Sequence, residues 1–179
     1  MLHLFTTILK KMNMALNKAL LMELEHEAKS TRKILERVPF EKATWKPHDK
    51  SSALVALASH VARTAIWVER AITTDEFNIG NPSAFPKVEL PKNTAELLAS
   101  FDGMIAGAKK HLEGASDETL MKPWVFRNGD TVIFNMPKAA VIRNMGYNHI
   151  YHHRGQLSVY LRMLDVPVPG MYGPSADEK

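Results

Sequence analysis

Apolar residues recur at spacings of three and four over most of this chain, and that rhythm divides it into four helical stretches. In the first, from Met14 to Val38, the stripe is Leu21, Leu24, Ala28, Thr31, Leu35 and Val38, and Pro39 ends it. Glu23 and Glu27 lie on one shoulder of that stripe, where charges are ordinarily solvated. The second stretch begins near Ser51 or Ser52, both good N-cap residues, and runs to about Ile72. At 100° per residue, Ala53, Ala56, Thr64, Trp67 and Ala71 all fall within roughly 40° of His60. The third is capped by Asn93 or Thr94, carries Leu97, Leu98, Phe101, Ile105, Ala108 and Leu112, and stops near Gly114. The fourth opens on Pro137, which a helix start tolerates, and reaches Leu164 as one continuous helix.

The connections read differently. Pro39 to Lys50 is turn-like, with Trp45 covering one end of the core. Thr73 to Lys92 holds three prolines and little periodicity, which suits a lid, a crossover or a contact surface. Trp124–Arg127 and Thr131–Phe134 flank Asn128-Gly129-Asp130, so a β-hairpin centred on Asn-Gly is expected just before the last helix. A lone hairpin is marginal in water and must lean on the helices. After Leu164 the prolines of Val166–Pro174 impose an extended tail. The pattern predicts an all-α fold with a small β-hairpin insertion, a single domain over residues 14–179, and an N-terminal extension over 1–13.

Composition narrows the function classes. At 179 residues the chain has room for one real core. It has no cysteine, hence no disulfide framework and no thiol nucleophile of its own. The net charge of +4 is mild and scattered, which argues against a nucleic-acid partner. No apolar run is long enough for a bilayer, and the first residues lack a basic start and a cleavage site, so no membrane partner is expected and the cytoplasm is the expected location.

The candidate chemistry sits in the fourth helix. Three histidines fall within Asn148-His149-Ile150-Tyr151-His152-His153-Arg154-Gly155-Gln156-Leu157. Ile142, Gly146, His149, Leu157, Tyr160 and Leu164 lie within roughly 40° of His153, whereas His152 points about 100° away. His149 and His153 are an i, i+4 pair whose rings can converge, and each neutral imidazole offers one nitrogen to a divalent metal. A catalytic metal wants three protein ligands and an open position, so the pair needs a third. His60 projects from a wall of small residues that leaves room around its ring. Ordinary bundle histidines with polar neighbours are the alternative for all three.

His60 on the second helix, the His149-x-x-x-His153-Arg154-Gly155-Gln156 run, Trp45-Lys46-Pro47-His48 and Val168-Pro169-Gly170-Met171-Tyr172-Gly173 together resemble the DinB family of four-helix metalloproteins, from about Met14 onward. That resemblance implies a left-handed four-helix bundle, commonly a homodimer. It also implies that His60, His149 and His153 hold a divalent ion, with zinc or nickel foremost. Characterised relatives include metal-dependent transferases and isomerases that use a low-molecular-weight thiol, and the missing cysteine fits a thiol brought in as cosubstrate and fits water equally well. The expected function is therefore a metal-dependent transferase, or a hydrolase, acting on a small molecule. Glu27 is the candidate catalytic base, and Trp67 and Tyr160 are candidate substrate contacts, although Tyr160 could equally fill the core. The alternative is a non-catalytic stress-related or ligand-binding protein with a bound metal; the open coordination position argues against a purely structural ion.

Overall fold

A computed structural model describes residues 14–178. The expected 1–13 extension lies outside these residues. Helix α1 spans Leu16–Leu35 and turns Leu20, Leu24, Ile34 and Leu35 inward. Its first amide has no helical partner; Leu16 N–H donates instead to Asp117 Oδ1 at 2.9 Å. A single 3₁₀ turn at Phe40–Lys42 follows.

The second stretch departs from expectation twice. Its N-cap is Ala53, not Ser51 or Ser52, and it has no side-chain cap. The connection supplies the missing acceptors: Leu54 N–H donates to Trp45 O at 2.8 Å and Val55 N–H to Ala43 O at 3.1 Å. With those amides satisfied by backbone carbonyls, a hydroxyl cap has nothing to do. The stretch is also broken, into α2 at Leu54–Arg63 and α3 at Ile66–Thr73. At the break the Thr64 hydroxyl donates to His60 O at 2.6 Å, a local bond that competes with the helical ladder.

Helix α4, Thr94–Gly114, is capped as expected by Asn93, whose Oδ1 accepts from Glu96 N–H at 2.9 Å. The Glu96 carboxylate reaches back to Lys92 N–H at 2.8 Å, completing a reciprocal cap. A short helix α5, Asp117–Met121, leads into the sheet.

The hairpin is present, as β2 at Pro123–Asn128 and β3 at Thr131–Pro137. Its turn is displaced by one residue from the Asn-Gly reading. Asn128 pairs with Thr131, so Gly129-Asp130 is the centre, and Gly129 alone takes positive φ, at 57°. Glycine first in a two-residue turn matches the twist of the strands. Nothing in the residue pattern marks β1, Glu76–Asn78, which lies parallel to β2; three residues are too few to show an alternation. The aromatic residues of the sheet gather against α3: Phe77, Phe126 and Trp124 lie 5.0, 6.1 and 6.4 Å from the Trp67 ring.

The fourth stretch is not one regular helix. A short turn α6, Lys138–Val141, runs into a π-helix at Ile142–Asn148, and only then into α7 at His149–Met163. A π-helix bonds i to i+5, so 100° per residue does not hold across it. The angular positions given to Ile142 and Gly146 change accordingly, whereas His149 and His153 both lie in α7 and remain one turn apart. Lys138, 3% exposed, closes the C-terminal end of α3 by donating to Thr74 O at 2.7 Å and Ile72 O at 3.3 Å.

Four helical rods thus pack together, with the sheet closing one end. Their apolar core comes in two parts. Leu24, Trp67, Leu112, Trp124, Tyr147 and Ile150 belong to one; Ile34, Val61, Leu97, Phe101, Leu157 and Leu161 belong to the other. Between them on α1 and α7 lie buried polar residues, Glu27, Thr31 and Arg154. Expected to be a solvated shoulder, Glu27 is only 7% exposed because an arginine from α7 meets it there.

Candidate metal centre

His60 stands in the last turn of α2, His149 opens α7, and His153 follows one turn later. One ring nitrogen from each lies within 4.8 Å of the other two. His60 Nε2 and His149 Nε2 are 3.1 Å apart, and the His60 and His153 ring centroids 4.4 Å. The outer nitrogens of His149 and His153 are occupied. His149 Nδ1 is 3.2 Å from Met145 O, inside the π-helix, and His153 Nδ1 is 2.7 Å from Gln156 Oε1. A proton on each Nδ1 satisfies those acceptors and leaves the Nε2 lone pair facing its neighbours. Such outer partners are what fix the tautomer and aim of a metal-binding histidine.

His152 lies outside the cluster, as its angle predicted. Its Nε2 is 3.1 Å from the Gln156 amide nitrogen, so the one amide accepts from His153 and donates to His152. Gln156 is the outer partner that reading the sequence for ligands passed over. Its spacing, three residues from His153 and four from His152, is the signal that could have found it.

Electrostatics favour uncharged rings at His60 and His149. Burial, reinforced by the His153 and His149 rings, holds His60 down at about 4. Burial and then His153 lower His149, which the Met145 carbonyl partly offsets. Neutral imidazoles with converging lone pairs suit a divalent ion with room for further ligands. Two clefts open from His60. One, of 460 Å³, runs past His153 and Gln156 to Ser52 and Tyr160; the other, of 280 Å³, runs past Arg63 and Trp67 to Arg70 and Phe85.

The other expected residues take distinct places. Tyr160 walls the first cleft, its hydroxyl donating to Ser52 O at 3.3 Å and its ring edge-on to Trp45 at 5.5 Å. Trp67 is 6% exposed and borders the second. Glu27 is not among the converging ligands. Its Oε2 accepts from Arg154 Nη2 at 2.7 Å and from the Tyr172 hydroxyl at 2.9 Å, while Arg154 also donates to Thr31 Oγ1 at 3.0 Å. The arginine beside His153 therefore ties α7 to α1 and to the C-terminal tail.

The model of the DinB family matches residues 12–179. The chain belongs to the DinB family. Three DinB-like crystal structures share this fold. One from Bacillus cereus is 24% identical, with a TM-score of 0.65 over 87% of this chain and 97% of that one. One from Bacillus subtilis is 17% identical, with a TM-score of 0.62 over 90% and 99%. The third, from Exiguobacterium sibiricum, is 17% identical, with a TM-score of 0.62 over 90% and 96%. No curated protein matches the chain. At these identities the likeness is one of fold. In this DinB protein the residues that meet at one point are His60, His149 and His153.

Proposed function

We propose that this DinB protein is a divalent-metal-dependent enzyme, acting as a transferase, with a low-molecular-weight thiol as one candidate cosubstrate, or as a hydrolase on a small molecule. The observation that carries the reading is the convergence of three imidazole nitrogens within 4.8 Å, two of them backed by Met145 O and Gln156 Oε1. His60, His149 and His153 would hold the ion, with zinc or nickel the expected occupants. When bound, such an ion supplies Lewis-acid character that lowers the pKa of a water or thiol beside it. The protein's own part is positional. Gln156 fixes His153, Met145 fixes His149, and the two clefts give a substrate separate approaches to His60. Tyr160 and Trp67 are assigned to substrate contact, one on each side. Glu27 is assigned to holding Arg154 rather than to proton transfer, because its carboxylate already accepts two hydrogen bonds.

Two measurements test this. Metal content of purified His60→Ala, His149→Ala, His153→Ala and His152→Ala proteins should show loss in the first three and retention in the last. A turnover screen pairing small thiols or water with small electrophiles should find activity in the metal-loaded protein and none in a folded His60→Ala variant. Binding of metal without turnover would favour a ligand-binding protein. A left-handed bundle and a homodimer are proposed on the family resemblance, and a cytoplasmic location on the apolar patterning of the sequence; light scattering that gives a monomer over a wide concentration range would remove the dimer.

A further inference from the structure

Five arginines, Arg32, Arg127, Arg143, Arg154 and Arg162, are paired with carboxylates. Arg63 and Arg70 have no such partner among the described residues, and both line the 280 Å³ cleft that begins at His60. They lie seven residues apart across the break between α2 and α3, close enough that the Arg63 charge acts on Arg70. Among the described residues, no carboxylate lines that cleft. Of the acids around it, Glu69 lies 3.8 Å from His111, Glu96 caps α4, and Glu89 follows Val88 into the neighbouring cleft that Arg63 also borders. Arg70 is also pinned, its guanidinium carbon 5.0, 4.7 and 5.8 Å from the Trp67, Phe77 and Phe85 ring centres and its Nη2 donating to Ala84 O at 3.4 Å. Stacked guanidinium in a half-dry pocket, beside a second cation, is costly to leave without an anion. Burial first, and the Arg63 charge second, lower Arg70 from its ordinary value.

We infer that this cleft binds a small organic anion with a flat apolar body, its carboxylate on Arg63 and Arg70 and its body against Trp67 and Phe85, oriented toward His60. Guanidinium forks match carboxylate geometry, and the aromatic wall takes the rest of the molecule. The inference rests on the metal-centre reading for what the anion is brought to, and not for whether it binds.

Benzoate, its neutral counterpart benzamide, and inorganic phosphate serve as probes. Each is titrated into the full-length protein, as purified and again after chelation, following the arginine side-chain and tryptophan indole NMR signals. Benzoate should bind about tenfold tighter than benzamide, a preference of the size a charge-assisted hydrogen bond gives. R63Q/R70Q should abolish the preference, and R63Q alone should reduce it should the double variant not fold. Equal binding of benzoate and benzamide, no benzoate binding, a preference untouched by R63Q, or phosphate binding as well as benzoate would each overturn the inference. Because the chelated protein is measured too, a preference without metal binding would sink the metal centre alone, and metal binding without a preference would sink the anion cleft alone.

Discussion

Gln156 is the smallest unit on which the centre depends. It is an exposed side chain with no part in the core, yet it sets the direction of His153 and holds His152 away from the cluster. Gln156→Ala should leave the helical circular dichroism unchanged and weaken metal affinity about 10–100-fold, the usual cost of losing an outer partner; unchanged affinity by competition with a chromophoric chelator would deny it that role. The histidines make a second prediction. In the unfolded chain they titrate near 6.5, whereas folded His60 sits at about 4. Between those values the unfolded state carries the extra proton, so the metal-free protein should lose stability as pH falls from about 6.5 towards 4, with His149 acting in the same sense. Melting temperatures of chelated protein at pH 7.5 and 5 should differ more for the parent than for His60→Ala. The depressed values also mean weaker proton competition, so metal loss on acidification should begin below 6.5 rather than at it.

Among the elements, the last helix was partly legible. The His149–His153 pair could be read because both residues lie within one turn of α7, and a local spacing survives whatever precedes it. The π-helix was hidden because one extra residue in a turn leaves the apolar residues Ile142, Met145 and Tyr147 in plausible places. His60 was legible as a candidate from its small neighbours, but its meeting with the pair depends on how the helices pack. The clamp around Arg154 was not legible at all. Its partners are 127 residues upstream in Glu27 and 18 downstream in Tyr172, and nothing local marks the connection. Removing the arginine leaves the buried Glu27 carboxylate with the Tyr172 hydroxyl but no cation, so Arg154→Met should cost about 3–5 kcal/mol in urea unfolding, and Glu27→Gln distinctly less. Equal losses would mean that the clamp acts by shape and not by charge. At the sheet end, Lys138→Met should cost about 1–3 kcal/mol, because Thr74 O, Ile72 O and the Asp75 carboxylate lose the one buried ammonium they share.

For the molecule as a whole, apolar patterning supplied four rods and the hairpin, and the core they form owes nothing to an ion. Chelation at neutral pH should therefore preserve the helical signal and lower only the melting temperature; its collapse would make the metal structural. The divided core carries a different consequence. A layer of ions and hydrogen bonds across the middle of a bundle is a weak seam, because each apolar half can loosen without exposing the other. Native-state hydrogen exchange should accordingly resolve two cooperative units, one reporting through amides near Leu112 and Tyr147, the other near Phe101 and Leu161. His149 and His153 belong to α7, which runs through both halves, and His60 to α2, whose core residues lie in the second, so an occupant there would weld the seam, and the two opening free energies would rise together and converge.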